Sequence, residues 1–332
     1  MKPRENLLRA ILRNSPEWVP YGAEGGTMIN PPVVERPGAA GPDAFGCQWA
    51  IEEGAHGGTY PAPGGHPLKD GLDHWKDNTT IPRVDRMDWG AVAVQAAKID
   101  RNEFLVMGFV EFSLFERSWL LLGMEEALVC YLTRPEEMYE LVGAIADYKI
   151  ELIGRFHETA KLDMVWFGDD WGTQRGLFIP PAIWRAVIKP HQKRCYDFMH
   201  ARGLLIDQHS CGRIEEIFAD LVEIGADMWN PCQPCNDLAG LKRKFGDRIS
   251  FSGGIDSQFV LNRPGVTEAE VRAEVRKRIS EMAPGGGYIA TPSHSVPYDP
   301  KILAAMEDEI RTFGRQIYAP ITAKGKKLPN ES

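Results

Sequence analysis

The 332-residue chain is 43% hydrophobic and 25% charged, with a formal net charge of −8. This supplies enough apolar material for a buried core and argues against a disordered or fibrous protein. With a pI near 5.6 there is no basic face to gather phosphates, so neither nucleic acid nor an anionic membrane is expected as the main partner.

The opening, Met1-Lys-Pro-Arg-Glu-Asn-Leu-Leu-Arg-Ala-Ile-Leu, sets apolar residues at helical spacing among charges. It lacks the continuous apolar region of a secretion signal. No apolar run approaches the roughly 20 residues that span a bilayer; the stretch from Ser118 to Met124 is bounded by Arg117 and Glu125. A cytoplasmic location is expected. Residues 22–88 are rich in Gly and Pro and predict loops with a hairpin or two, an irregular cover over the mouth of the main domain. It is either a functional lid or a plain extension.

From about Val92, short apolar or β-branched runs alternate with amphipathic stretches, the pattern of repeated strand and helix units. Predicted strands are followed by polar turns. Phe104 to Phe109 leads into Glu111, Met164 to Phe167 into Gly168-Asp-Asp-Trp, and Leu204 to Ile206 into His209-Ser-Cys-Gly. Asp227 to Asn230 leads into Pro231-Cys-Gln-Pro-Cys, Ile249 to Phe251 into Gly253-Gly-Ile-Asp, and Tyr288 to Ala290 into Pro292-Ser-His. Helices are expected between them, at Glu215 to Ile224 and at Thr267 to Met282, where Thr267 and Glu270 form a capping box. Strands buried on both sides suggest a closed barrel, although an open doubly wound sheet has a similar local pattern. The absence of a Gly-x-Gly-x-x-Gly turn weakens the dinucleotide-binding version of that sheet. The expected fold is thus α/β, a single (β/α)₈ TIM-type barrel over residues 1–320, with 321–332 as a flexible tail.

Chemically capable residues cluster past the strand ends. In an extended backbone His209 and Cys211 point to the same side and can reach one ion. An imidazole and a thiolate suit zinc, and a catalytic zinc site needs about three protein ligands. His294, after the last strand, is the expected third. The alternative is a packed, hydrogen-bonded His and Cys without metal. Cys232 and Cys235 form a lone Cys-x-x-Cys, which reads as two structural thiols ahead of a half zinc site. Asp169 and Asp170 follow another strand; one is expected to face the pocket as acid or base while the other caps the next turn, or else both serve as turn and capping residues. Glu111 is a third candidate acid or base. Trp171, Gln174, Gln208, Gln233 and Asp256 are candidate substrate-binding groups, or simply polar and loop residues. There is no Gly-x-Ser-x-Gly elbow for serine hydrolysis.

Several segments together resemble the uroporphyrinogen decarboxylase superfamily. They are Pro3-Arg-Glu-Asn-Leu-Leu-Arg-Ala-Ile with Trp18-Val-Pro, Asp43-Ala-Phe-Gly with Trp49, Gly65-His-Pro-Leu-Lys-Asp and Gly168-Asp-Asp-Trp-Gly-Thr-Gln. His209-Ser-Cys-Gly, Asn230-Pro-Cys-Gln-Pro, Gly253-Gly-Ile-Asp and Gly286-Gly-Tyr-Ile complete the set, which spans nearly the whole chain. The resemblance implies the single barrel with its site at the C-terminal ends of the strands. True decarboxylases carry Phe-Met-Arg-Gln-Ala-Gly-Arg, where this chain has Gly22-Ala-Glu-Gly-Gly-Thr-Met. The zinc-dependent methyltransferases that act with corrinoid proteins are nearer, with His-x-Cys and a distant Cys whose place His294 takes here.

The resulting expectation is a zinc-dependent methyltransferase. It moves a methyl group between a small methylated substrate, a methoxylated aromatic or a methyl thioether, and cobalamin on a corrinoid protein. The alternatives are a metal-independent decarboxylase or lyase of the same fold, and a barrel that binds a corrinoid or tetrapyrrole without turnover.

Overall fold

The structure, a computed structural model, describes residues 1–22, 24–52, 58–73, 75–294 and 296–318. The tail expected at 321–332 lies outside them. The chain forms two compact units, Thr27–Trp229 and Met1–Gly26 with Asn230–Ser332. No helix among the described residues is long and apolar enough to cross a membrane.

The larger unit begins along β1 (Gly26–Ile29) and then forms a small antiparallel sheet from β2 (Gly41–Pro42), β3 (Gln48–Ala50) and β4 (Tyr60–Pro61), with Trp49 facing both Gly41 and Pro61. This is the hairpin-rich part of residues 22–88. Next come β5 (Leu105–Val110), β6 (Met164–Gly168), β7 (Leu205–His209) and β8 (Met228–Asn230), hydrogen-bonded in the order β1-β5-β6-β7-β8. The β5–β6 and β6–β7 pairs are parallel, with Phe109 opposite Trp166 and Gly168 opposite His209. In the smaller unit β9 (Ser250–Ile255) runs parallel to β10 (Tyr288–Pro292), and Tyr21 makes a parallel bridge to Ala290 on β10. Helices separate successive parallel strands, which is the α/β alternation of a (β/α) barrel.

Local chemistry explains the helices. Pro135–Ala160 opens on proline, whose missing N–H costs nothing there, and carries Glu136 and Glu137 in its first turn, where the helix dipole favours negative charge. It buries Met138, Leu141, Val142, Ile145 and Leu152 at helical spacing and ends at Lys161 in the left-handed region, φ 50°. Glu268–Met282 begins with the expected capping box: the Thr267 hydroxyl takes the Glu270 N–H, and the Glu270 carboxylate takes the Thr267 N–H.

The larger unit also buries charge. Lys149 Nζ lies 2.7 Å from both carboxylate oxygens of Glu35, while Arg117 bonds Glu35 at 3.1 Å and Asp43 at 2.7 Å. All four side chains are buried. Each charge has an opposite partner in hydrogen-bond range, the condition under which ions persist in a core.

Candidate active site at the ends of strands β6 and β7

Two loops meet where β6 and β7 end. Gly172 and Gly212 lie back to back: a Cβ on Gly212, whose φ is +78°, would stand 2.1 Å from the Gly172 carbonyl carbon. Only glycine fits that approach. It lets the Asp169 N–H bond the His209 carbonyl at 3.0 Å, the Trp171 N–H bond Ser210 Oγ at 3.0 Å, and the Arg213 N–H bond the Thr173 carbonyl at 2.7 Å. Glycine spacing in Gly168-Asp-Asp-Trp-Gly and His209-Ser-Cys-Gly therefore sets how closely the side chains of the two loops converge.

Asp170, His209 and Cys211 are the side chains so gathered. His209 Nε2 lies 3.4 Å from Asp170 Oδ1 and 3.5 Å from Cys211 Sγ. The Cys211 N–H donates to Asp170 Oδ1 at 2.7 Å, which fixes the carboxylate. One donor atom from each residue falls within 4.8 Å of the other two. A tetrahedral zinc, with bonds of about 2.3 Å to sulfur and about 2.0 Å to nitrogen or oxygen, separates S from N by about 3.6 Å and N from O by about 3.3 Å. The donors suit zinc in kind, and the two separations from His209 match its spacing.

The electrostatics agree with a cation-binding group. Burial pulls the His209 imidazole pKa down, but Asp170 and Cys211 outweigh it and hold it well above the usual range. Asp170 feels the reverse, its burial overcome by His209 and the Cys211 N–H, so its carboxyl sits below the ordinary value. Burial raises the Cys211 thiol, with His209 pulling against it. Ligation requires a neutral imidazole and a thiolate, so a bound cation takes the place of the protons held here.

Asp169 serves a different end. It is fully buried, accepting the Phe115 and Glu116 N–H groups at the start of helix Phe115–Leu122 and the Trp171 indole at 2.8 Å. Trp171 is buried against Trp184. Glu116, which the sequence did not single out, has its carboxyl raised well above the usual range by burial and by Asp170 and Asp169.

A row of rings crosses three strands. Phe109 on β5 stacks on Trp166 of β6 at 4.5 Å between centroids, and Trp166 contacts the His209 ring at 4.5 Å. Gly168 keeps Trp166 in place, since a Cβ there would come within 2.5 Å of the indole. Phe109 also lines a cleft of about 350 Å³ with Arg36 and Glu111. Arg36 donates to the Thr59 carbonyl at 2.9 Å, lies 3.5 Å from Glu111 and rests over the Trp49 ring. Burial raises the Glu111 carboxyl, and Arg36 partly offsets it.

The other expected residues have contacts of their own. Gln208, alternating with His209 along β7, turns toward helix Lys189–His200 and bonds Gln192 and Tyr196. Gln174 is exposed in the loop after β6. In the smaller unit, His294 Nε2 lies 2.7 Å from Gln233 Nε2, and Asp256 caps the turn at Ser257–Leu261 by accepting the Gln258 and Phe259 N–H groups. The six cysteines, Cys232 and Cys235 among them, form no disulfide among the described residues. Arg36, Phe109 and Trp166 were missed because an apolar run does not say which of its rings remains half-exposed.

A family model described as uroporphyrinogen decarboxylase matches residues 39–312. Among curated proteins, the methylcobamide:CoM methyltransferase MtaA of Methanosarcina barkeri is 30% identical over 122 residues, 36% of this chain and 34% of that protein. A uroporphyrinogen decarboxylase of Thioalkalivibrio sulfidiphilus (strain HL-EbGR7) is 28% identical over 80 residues, 24% of this chain and 22% of that protein. The chain thus aligns with about a third or less of the length of these relatives. Among solved structures, a methyltransferase from Methanosarcina mazei shares the fold, with a TM-score of 0.70 at 15% identity over 94% of this chain and 99% of that one.

Proposed function

Because this chain belongs to the uroporphyrinogen decarboxylase family and gathers three donors of mixed softness at one point, we propose that it is a zinc-dependent methyltransferase. It moves a methyl group between a small methylated substrate, a methoxylated aromatic or methyl thioether, and a corrinoid protein. The observation that carries this reading is the Asp170, His209 and Cys211 set, gathered within 4.8 Å, with His209 3.4 Å from Asp170 and 3.5 Å from Cys211, near the edge lengths around a tetrahedral ion. The methyltransferase among the curated relatives supports it.

His209, Cys211 and Asp170 would hold the metal, with one coordination position left open for the substrate. Zinc bound there supplies a Lewis acid for the substrate oxygen or sulfur. When the methyl group leaves toward the corrinoid, the bond pair stays on that heteroatom, and a proton is then needed. Glu116, whose carboxyl burial and the neighbouring Asp170 and Asp169 push upward, is the candidate group to supply it. Trp166 and the two loops orient the donors, so little reorganisation is required on binding.

The test is zinc content by plasma mass spectrometry together with the absorbance change of free cobalamin on methylation. Wild type should hold near-stoichiometric zinc; Cys211→Ser should lose it along with transfer. Supporting groups around a metal are worth about 10–100-fold in affinity, so Asp170→Asn, which alters a direct ligand, should lose at least that. Zinc kept in Asp170→Asn but lost in His294→Ala would make His294, rather than Asp170, the third donor. No zinc in any protein, with decarboxylation of a carboxylated substrate retained, would replace this reading with the metal-free one.

A further inference from the structure

Trp166 has a ring against each side, Phe109 at 4.5 Å and His209 at 4.5 Å. Phe109, Trp166 and His209 are nevertheless half-exposed, while their strand neighbours Gly108, Val110, Val165 and Phe167 are buried. With its faces covered, Trp166 presents its edge. Ring edges carry partial positive charge and ring faces negative, so a row of edges favours the π-face of an electron-rich ring laid across it.

The row has a chemically distinct group at each end. At one are the proposed metal donors. At the other, roughly two strand spacings away, on the order of 9–10 Å, Phe109 opens into the cleft of about 350 Å³ that Arg36 and Glu111 share. That volume falls within the ordinary range of small-ligand sites, about 300–1,000 Å³. Glu35 also borders the cleft, but its carboxylate is committed to Lys149 and Arg117. Arg36 is oriented in advance by the Thr59 carbonyl and the Trp49 ring. A guanidinium has five N–H groups and serves several acceptors at once.

We propose that the substrate is an electron-rich aromatic methyl ether, lying face-down across Phe109 and Trp166, with a second oxygen substituent at its far end accepting from Arg36. The methoxy oxygen then reaches the metal donors. An aliphatic thioether would leave the ring row unused. This inference rests on the methyltransferase reading and narrows it to one of the two substrate classes. The far oxygen is a phenol hydroxyl or a carboxylate; Arg36 serves either, and Glu111 favours the hydroxyl, which can also donate.

Calorimetric titration of the purified full-length protein with 4-methoxyphenol, 4-methoxybenzoate, anisole and 3-methylthiopropanoate tests it. The expected result is at least tenfold tighter binding of one oxygenated ring over anisole, a preference erased by Arg36→Gln, and at least tenfold weaker binding of every ring by Trp166→Leu. Whichever of the first two probes binds tighter identifies the far oxygen. Phe109→Leu replaces Trp166→Leu if the latter fails to fold by circular dichroism. Equal binding of anisole and the oxygenated rings, or a preference that survives in Arg36→Gln, would overturn the proposal, as would binding of the thioether alone. Binding needs no turnover, so the two readings fail separately. Selective ring binding without methyl transfer counts against the methyltransferase; transfer from an aliphatic donor without ring binding counts against the aromatic substrate.

Discussion

The larger unit contains two charged clusters built on opposite principles. Around Lys149 and Arg117, each cation is sealed against Glu35 or Asp43 at 2.7–3.1 Å, and all four side chains are buried. Around His209, the Asp170 and Cys211 atoms stand 3.4 and 3.5 Å away, and the His209 and Asp170 side chains keep 20% and 33% of their exposure. The first has saturated its charges and can only hold the chain together. The second has wider spacing and more exposure, the conditions an ion or a ligand needs. Partner distance and exposure, more than charge count, separate a structural cluster from a reactive one.

That contrast can be broken from either side. Lys149→Met leaves Glu35 only Arg117 and the Tyr148 hydroxyl, and breaking a buried pair costs about 3–5 kcal/mol. Urea unfolding should show a loss of that size, while zinc bound per folded molecule stays unchanged. A small stability loss would mean the cluster is not the anchor its burial implies. Asp169→Asn probes the boundary, because Asp169 adjoins the reactive cluster yet has three N–H donors of its own. An amide turns one NH₂ toward those donors, and a buried unsatisfied group costs about 1–3 kcal/mol. The melting temperature should fall accordingly.

Lys242 gives the smallest and most finely resolved case, a buried cation donating to the Gly286 carbonyl. Burial, then Arg13, lowers its pKa from 10.5 to about 8. The folded state therefore releases its proton first. The stabilising contribution is complete above the unfolded value of 10.5 and is lost as pH falls through about 8. Stability should rise by roughly 1 kcal/mol between pH 8 and 9, and Lys242→Met should flatten that rise. A wild-type curve already flat there would show that Lys242 is not displaced from its ordinary pKa.

Much of the frame was legible in the sequence because it is local. The Thr267 capping box and the turn after each strand follow from residues a few positions apart. The approach of Cys211 to His209 follows from period-two geometry, although β7 continues to His209 itself, past the expected end at Ile206. What local pattern could not supply was the choice between Asp169 and Asp170, since both follow β6 and differ only in which neighbouring loop each meets. Asp169 turns toward the Phe115 helix start and Asp170 toward Cys211. Phe109 and Trp166 looked like any strand hydrophobes because stacking across strands needs register. Arg36 stands 75 positions from Glu111, and only the folded chain joins them.

The glycine contact between the two site loops bears on how this scaffold can diversify. With Gly172 and Gly212 pressed together, neither loop can gain a side chain there without parting from the other and pulling Asp170 away from His209 and Cys211. Saturation libraries at those two positions should return glycine almost alone. Variation at positions 36 and 109 leaves the donor loops untouched. New substrates would thus be explored at Phe109 and the arginine end of the ring row, with the donor loops inherited unchanged.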